Sequence, residues 1–352
     1  MMNVTLPTST LRTSNRFILA MMIPLLIITL LGLFNATRGK PNVALVEVWR
    51  ALVDPVPVEE SPAHFLIRQL RLPRILLSVL CGLALGIVGV LLQDSLRNPL
   101  ADPGLLGVAQ GASFAVALAI LYPEYMPDLP RPLLCLIAGT IAGFGVIFFS
   151  GTIRDPVRII LSGAVFSGFF AVLTTAVILM APPERTFGFV AYFRYVTGSV
   201  SSAEWSDMRM VAPWLAVGLP AGLLSGRVLN LLQLGDDLAS GAGLNPFRSR
   251  IILILVALVL IAPVIAAIGP VAFIALFAPH IARGLLASSD ARRVLVVAAL
   301  CGAALLLAAD TAGRLLFFPR EIPAGIWTVA MVGPAAILVV GRIAKGRRAR
   351  AQ

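Results

Sequence analysis

Two lysines, two histidines and three isolated cysteines in 352 residues, with only 13% charged side chains, are what this sequence has least of. Each shortage closes off a kind of chemistry. Lys40 is followed by Pro41 and Lys345 by Gly346, so neither can end a G-x4-G-K-[ST] phosphate loop. Any ATP that drives this protein is hydrolysed on another polypeptide. Cys81, Cys135 and Cys301 fall in three separate apolar runs without C-x-x-C spacing, which argues against metal or redox chemistry and for small buried hydrophobes. No nucleophile, base and orienting group can be gathered around either histidine, so no catalytic and no metal-ligating residue is assigned. His280 reads as a structural hydrogen-bonding group.

What the chain does have is apolar length. Hydrophobic residues make up 59% and mean hydropathy is +0.94, whereas soluble domains carry about 25% charged residues. Apolar runs lie near 17–36, 72–92, 105–121, 132–150, 159–180, 211–231, 251–268, 271–287, 294–309 and 323–341. A membrane core of about 30 Å needs roughly 20 apolar residues per helix, so these are ten candidate spans, several short enough to require tilt or kinking. The expected fold class is an all-α polytopic membrane protein. Its organisation is an N-terminal tail (1–16), a ten-helix membrane domain (17–342) and a basic tail (343–352). The first run follows Arg12 and Arg16 as a signal peptide would. It exceeds the usual h-region of about 7–15 residues, and Phe34-Asn35-Ala36-Thr37 is a poor cleavage site, so it reads as a retained span.

Ten spans place both termini on one side. With the termini cytoplasmic, inner segments hold 16 Lys and Arg against 12 outside, in the sense of the positive-inside rule. The tail Lys345–Arg350 then lies beside anionic lipid. Ionisable residues are nearly absent from the spans, Asp94 and Asp310 falling near ends, which argues against a proton- or sodium-driven carrier. A membrane enzyme would need a catalytic cluster at the bilayer face, and none is visible.

The outer excess includes Arg68, Arg71 and Arg74, the last two in Arg71-Leu72-Pro73-Arg74. They serve either to snorkel to headgroups or to dock carboxylates of an extracytoplasmic partner, since Arg pairs bidentately with carboxylate. Asp310 and Arg314, spaced i, i+4, make an internal ion pair a competing role at a helix end. Gly82, Gly86 and Gly89 stripe the second span and Gly139 with Gly143 the fourth, as close helix packing requires. Residues 251–287 as a single helix would reach about 55 Å at 1.5 Å per residue. Gly269-Pro270 breaks them into two spans turning near the outer face, against protein or water rather than lipid.

The run Arg97-Asn98-Pro99-Leu100-Ala101-Asp102-Pro103-Gly104-Leu105-Leu106-Gly107 ends one helix, turns and starts the next. Its order closely resembles the turn after the second span in FecCD-type permease subunits, which import iron-siderophore chelates, haem and vitamin B12. The resemblance extends over about 43–342 through Arg71-Leu72-Pro73-Arg74, the loop 233–250, 269–283 and Glu321-Ile322-Pro323-Ala324-Gly325. It implies a vitamin B12-permease-like (type II ABC importer) architecture in the bacterial inner membrane, with a second permease subunit, identical or paralogous. It further implies two ATP-binding subunits holding ATP and Mg, an extracytoplasmic binding protein, no cofactor in this chain and no nucleic-acid partner.

Residue by residue, the resemblance assigns docking of the binding protein to Arg71, Arg74 and Arg314. It places two short coupling helices in the inner loop 233–250, with ATPase contacts at Leu234, Gly235, Asp236, Asp237, Ala239, Gly243 and Leu244. Read without it, that loop is a solvated connector rich in turn formers. Ser240-Gly241-Ala242 departs from the family pattern, where an arginine and a larger apolar residue are commoner. Thr197, Gly198 and Ser199 match a short outer helix and are expected at the external mouth. An iron(III)-siderophore is the expected cargo, with haem or cobalamin as alternatives.

Overall fold

The computed structural model describes residues 8–39, 41–54, 61–104, 106–126, 128–151, 156–182, 192, 195–318, 320–331 and 333. Among them regular structure is helical, with no strand. Helix α1 is Thr8–Thr37 and α2 Leu45–Val53; α3, Pro62–Phe65, passes through a π-helical stretch Leu66–Arg71 into α4, Leu72–Ser95. Then come α5 (Val108–Leu121), α6 (Arg131–Ser150), α7 (Pro156–Leu179), α8 (Trp205–Leu224), α9 (Gly226–Leu234) and the short α10 (Asp236–Gly241). Helices α11 (Pro246–Ile268), α12 (Ile274–Leu286) and α13 (Ala291–Leu315) come next, and α14 covers 324–331.

Six of these stretches are long and apolar enough to cross a membrane, and α8 with α9, bent by 43°, makes a seventh. The runs 105–121 and 271–287 hold shorter helices, as expected of several of the ten candidate spans. Their helices, α5 and α12, have 14 and 13 residues, about 20 Å at 1.5 Å per residue, too short for a core of about 30 Å. Of the run 323–341, α14 is described; residues 332 and 334–341, like the tails 1–7 and 343–352, lie outside the described residues.

Both half-length helices come after partly buried non-helical segments, where protein or water rather than lipid must satisfy the backbone. The segment before α5 begins with a two-bond C-cap on α4: Asn98 N–H donates to Gln93 O (2.9 Å) and Arg97 N–H to Asp94 O (3.3 Å). This is the Schellman arrangement, with Arg97 at φ 49° where glycine is usual. Asn98 and Asp102 side chains then accept from the backbone of Leu100 and Gly104, turning the chain back. Ser167 Oγ donates to Gly104 O at 3.0 Å and ties the segment to α7.

The segment before α12 starts at Gly269, whose φ of 75° and close approach to Tyr195 O admit no side chain: a Cβ would lie 2.0 Å from that oxygen. The break therefore falls where Gly269-Pro270 placed it. The return is not a symmetric hairpin, because α12 begins level with the last turns of α4, where Gln93 Nε2 donates to Leu276 O at 2.9 Å.

The core centres on α4 and α13. Gly82 and Gly86 meet the α13 backbone at Gly302–Ala303 and Ala298, and Gly89 meets Ala275 of α12; a Cβ at Gly86 would be 2.1 Å from Ala298 O. Helix α1 sits outside this pair, with 11% of its apolar window buried against 72% for the span ending in α4. One of its polar ties is Asn35 Nδ2 to Thr311 Oγ1, 2.5 Å. On the other flank Gly139 and Gly143 of α6 straddle Val108 of α5.

Candidate functional site

At the end of the bundle where α4 finishes, α9 stops at Leu234 and α10 projects as one short helix. Two short helices were expected within 233–250; the structure has one there, closed by Leu244 N–H donating to Ala239 O (3.0 Å). Asn245 then caps α11 by accepting from Arg248 N–H. Leu234, Asp237 and Gly243 are exposed, Gly235, Asp236 and Leu244 half-buried, and Ala239 buried. Leu238 and Phe247, 64% and 59% exposed, add apolar surface that the sequence pattern does not single out. The loop is fastened beneath by Arg250, which grips both Asp236 oxygens (2.5 and 3.0 Å) and donates through Nε to Ser95 O (2.9 Å).

Beside it Arg283 joins Gln93 Oε1 (2.8 Å) and Asp94 Oδ1 (2.7 Å). His280 Nδ1 pairs with Leu276 O, the structural role expected of it. A cleft of about 320 Å³ opens there among Gln93, Asp94, Arg97, Gln233, His280 and Arg283.

At the opposite end Arg71, Arg74 and Arg314 line one cleft of about 310 Å³, together with Glu204, Glu321, Ser201 and Ser202. The first two stand far from the third along the chain; the fold brings all three together. Each is engaged internally. Arg74 pairs with Asp310 (2.9 Å) and Glu321 (3.0 Å). Arg71 donates to Ala36 O and Pro41 O, and Arg314 to Asn35 O and Arg38 O. Asp310 thus takes Arg74 from another helix rather than its own i+4 neighbour. Arg68 holds Ala51 O and Asp54 O, which anchors α2.

The segment 195–201 is a wall between clefts. Gly325 N–H donates to Gly198 O and Ser199 N–H to Ile268 O, each 2.8 Å, so it is stitched to the start of α14 and the end of α11. Thr197 faces a cleft of about 310 Å³ that is apolar except for itself, Asp102 and Gln110. Ser199 faces a larger one of about 650 Å³ with Arg131, Tyr195, Ser201 and Ser206. Burial pushes the Tyr195 phenol well above its ordinary value. Phe193 and Arg194, just before this segment, lie outside the described residues. Asp310, Glu321, Arg250 and Gln110 carry no functional assignment from sequence, although Glu321 opens the stretch Glu321-Ile322-Pro323-Ala324-Gly325.

Comparison with known proteins agrees with this arrangement. Residues 25–342 match the FecCD transport family. The Fe(3+) dicitrate transport system permease protein FecC of Escherichia coli (strain K12) is 36% identical over 281 residues, covering 79% of this chain and 83% of FecC. The hemin transport system permease protein HmuU of Yersinia pestis is 32% identical over 340 residues, covering 94% and 97%. In fold the chain matches a metal-chelate type ABC transporter solved in an inward-facing conformation, with TM-score 0.75, 24% identity and coverage of 92% and 98%. A non-helical break before each half-length helix, a clamped loop and relatives aligned over most of their lengths converge: the chain belongs to the FecCD transport family, whose members are membrane permease subunits rather than enzymes.

Proposed function

We propose that this chain is the permease subunit of an ATP-driven importer that moves an iron(III) chelate of the siderophore or citrate kind into the bacterial cytoplasm. The observation that carries it is α10, held rigidly from below by Arg250 while presenting Leu238 and, beside it, Phe247 to the outside. A rigid lever with an apolar tip suits docking of a separate ATP-hydrolysing subunit, which would hold ATP and Mg. In this reading α10 and both termini are cytoplasmic, two permease subunits enclose the path, two ATPase subunits bind below, and the arginine cleft faces a binding protein. There Arg71 and Arg314 are the docking charges, since their direct partners are neutral carbonyls, while Arg74 is matched by Asp310 and Glu321.

The chelate assignment is supported by relatives named for Fe(3+) dicitrate and achromobactin transport. HmuU, named for hemin, supports haem as the second cargo. The deciding experiment reconstitutes the chain with its ATPase and binding protein and follows radio-iron chelate against haem. Uptake of chelate that requires ATP, and vanishes when residues 236–243 are deleted, is expected. Uptake by the permease alone, or unaffected by the deletion, overturns the reading.

A further inference from the structure

The last three residues of α4 receive two arginines from two different elements. Gln93 and Asp94 take Arg283 of α12, at 2.8 and 2.7 Å. Ser95 offers its carbonyl to Nε of Arg250, near the start of α11, at 2.9 Å. The other face of the same Arg250 guanidinium grips Asp236, the first residue of α10, with both oxygens engaged. Gln93, Asp94, Ser95 and Arg250 are all buried, so the α4 side of these charge-assisted bonds is shielded from water and has defined geometry.

Helix α10 is six residues long, with Ala239 as its buried contact. A push on α10 therefore meets the Asp236–Arg250 fork first. It passes through one planar group to the α4 terminus and thence to the left-handed turn at Arg97 and the partly buried segment 98–104. That segment lines the cleft containing Asp102 and Thr197.

We propose that Arg250 is the transmission residue of this permease: one guanidinium that couples displacement of α10 to the C-terminus of α4 and to the re-entrant segment lining the central cleft. This rests on the import reading above. The function is positional, and Arg250 touches neither nucleotide nor cargo. Lysine cannot replace it, because a single ammonium cannot serve the Asp236 carboxylate and the Ser95 carbonyl along two fixed directions.

The test uses the complete transporter reconstituted with its ATPase and binding protein, scoring chelate imported per ATP hydrolysed. Arg250→Gln, Arg250→Lys, Asp236→Asn and the Arg250→Gln/Asp236→Asn double variant are compared, with co-purification of the ATPase as the assembly control. Arg250→Gln should retain assembly and lower the coupling ratio roughly tenfold, within the range usual for coupled sites. Arg250→Lys should recover only part of that loss. Asp236→Asn should lower the ratio too, and the double variant should be no worse than Arg250→Gln, because both cut one link. Additive losses, full recovery by lysine, an unchanged ratio, or loss of assembly in Arg250→Gln and Arg250→Lys alike each overturn the proposal. The import reading fails separately, by absence of ATP-dependent uptake in the parent complex.

Discussion

Arg74→Met should loosen the arginine end of the bundle before it affects any docking. The guanidinium lies 2.9 Å from Asp310 with 11% and 4% of the two side chains exposed, so water screens neither charge. Removing one member of a buried pair strands the other, at about 3–5 kcal/mol. Glu321 is 41% exposed, and its contact is screened down to about 0–1 kcal/mol. Arg74→Met combined with Asp310→Leu strands nothing, and apolar replacement of a buried pair is commonly neutral or stabilising, so the double variant should return to within about 1 kcal/mol of the parent. Asp310→Leu alone should fall between, because Arg74 keeps Glu321. Denaturation in mixed micelles, followed by helical circular dichroism, supplies all four corners of the cycle. An Arg74→Met loss below about 1 kcal/mol, or a double variant as weak as the single, refutes the reasoning. The result also decides how docking variants are read. Arg71→Glu with Arg74→Glu places new carboxylates beside Asp310 and Glu321, so Arg71→Gln is the cleaner probe of binding-protein capture.

Gly86→Ala drives a methyl into a carbonyl oxygen 2.1 Å away and should cost about 3 kcal/mol or more, seen as loss of monodisperse protein on gel filtration. Arg97→Gly relieves a left-handed residue and should stabilise by about 1 kcal/mol in the same denaturation series; a comparable loss would contradict the capping geometry. Leu238→Asp, on an exposed site, should weaken ATPase association about tenfold or more by light-scattering or co-purification titration. It should leave the permease's own stability within about 0.5 kcal/mol.

Much of the helical layout was legible because lipid forces long apolar runs to be helices, and composition exposes them directly. The Gly82-Gly86-Gly89 stripe foretold close packing, and Gly269-Pro270 foretold the break, since both are local backbone requirements. The half-length of α5 and α12 was hidden. The run 105–121 is apolar almost throughout, and its helix starts only at Val108, after a left-handed Gly107. The arginine cleft was half legible. Charge clustered just before an apolar run marked Arg71 and Arg74, but their acceptors come from α1, Pro41, Asp310 and Glu321, and no local pattern encodes such pairings. Arg250 looked like one more basic residue at a helix start for the same reason.

The α4–α13 contact has a consequence for biosynthesis. At about 5–20 residues per second, the roughly 200 residues separating Ser95 from Ala291 take on the order of 10–40 s to emerge. Throughout that interval the glycine groove of α4 faces acyl chains instead of its eventual mate. Mean hydropathy of 2.8 for that span lets it wait there. Insertion and assembly are thus separated in time, and a lesion in α13 would leave a stable but unassembled α4 for quality-control proteases to find.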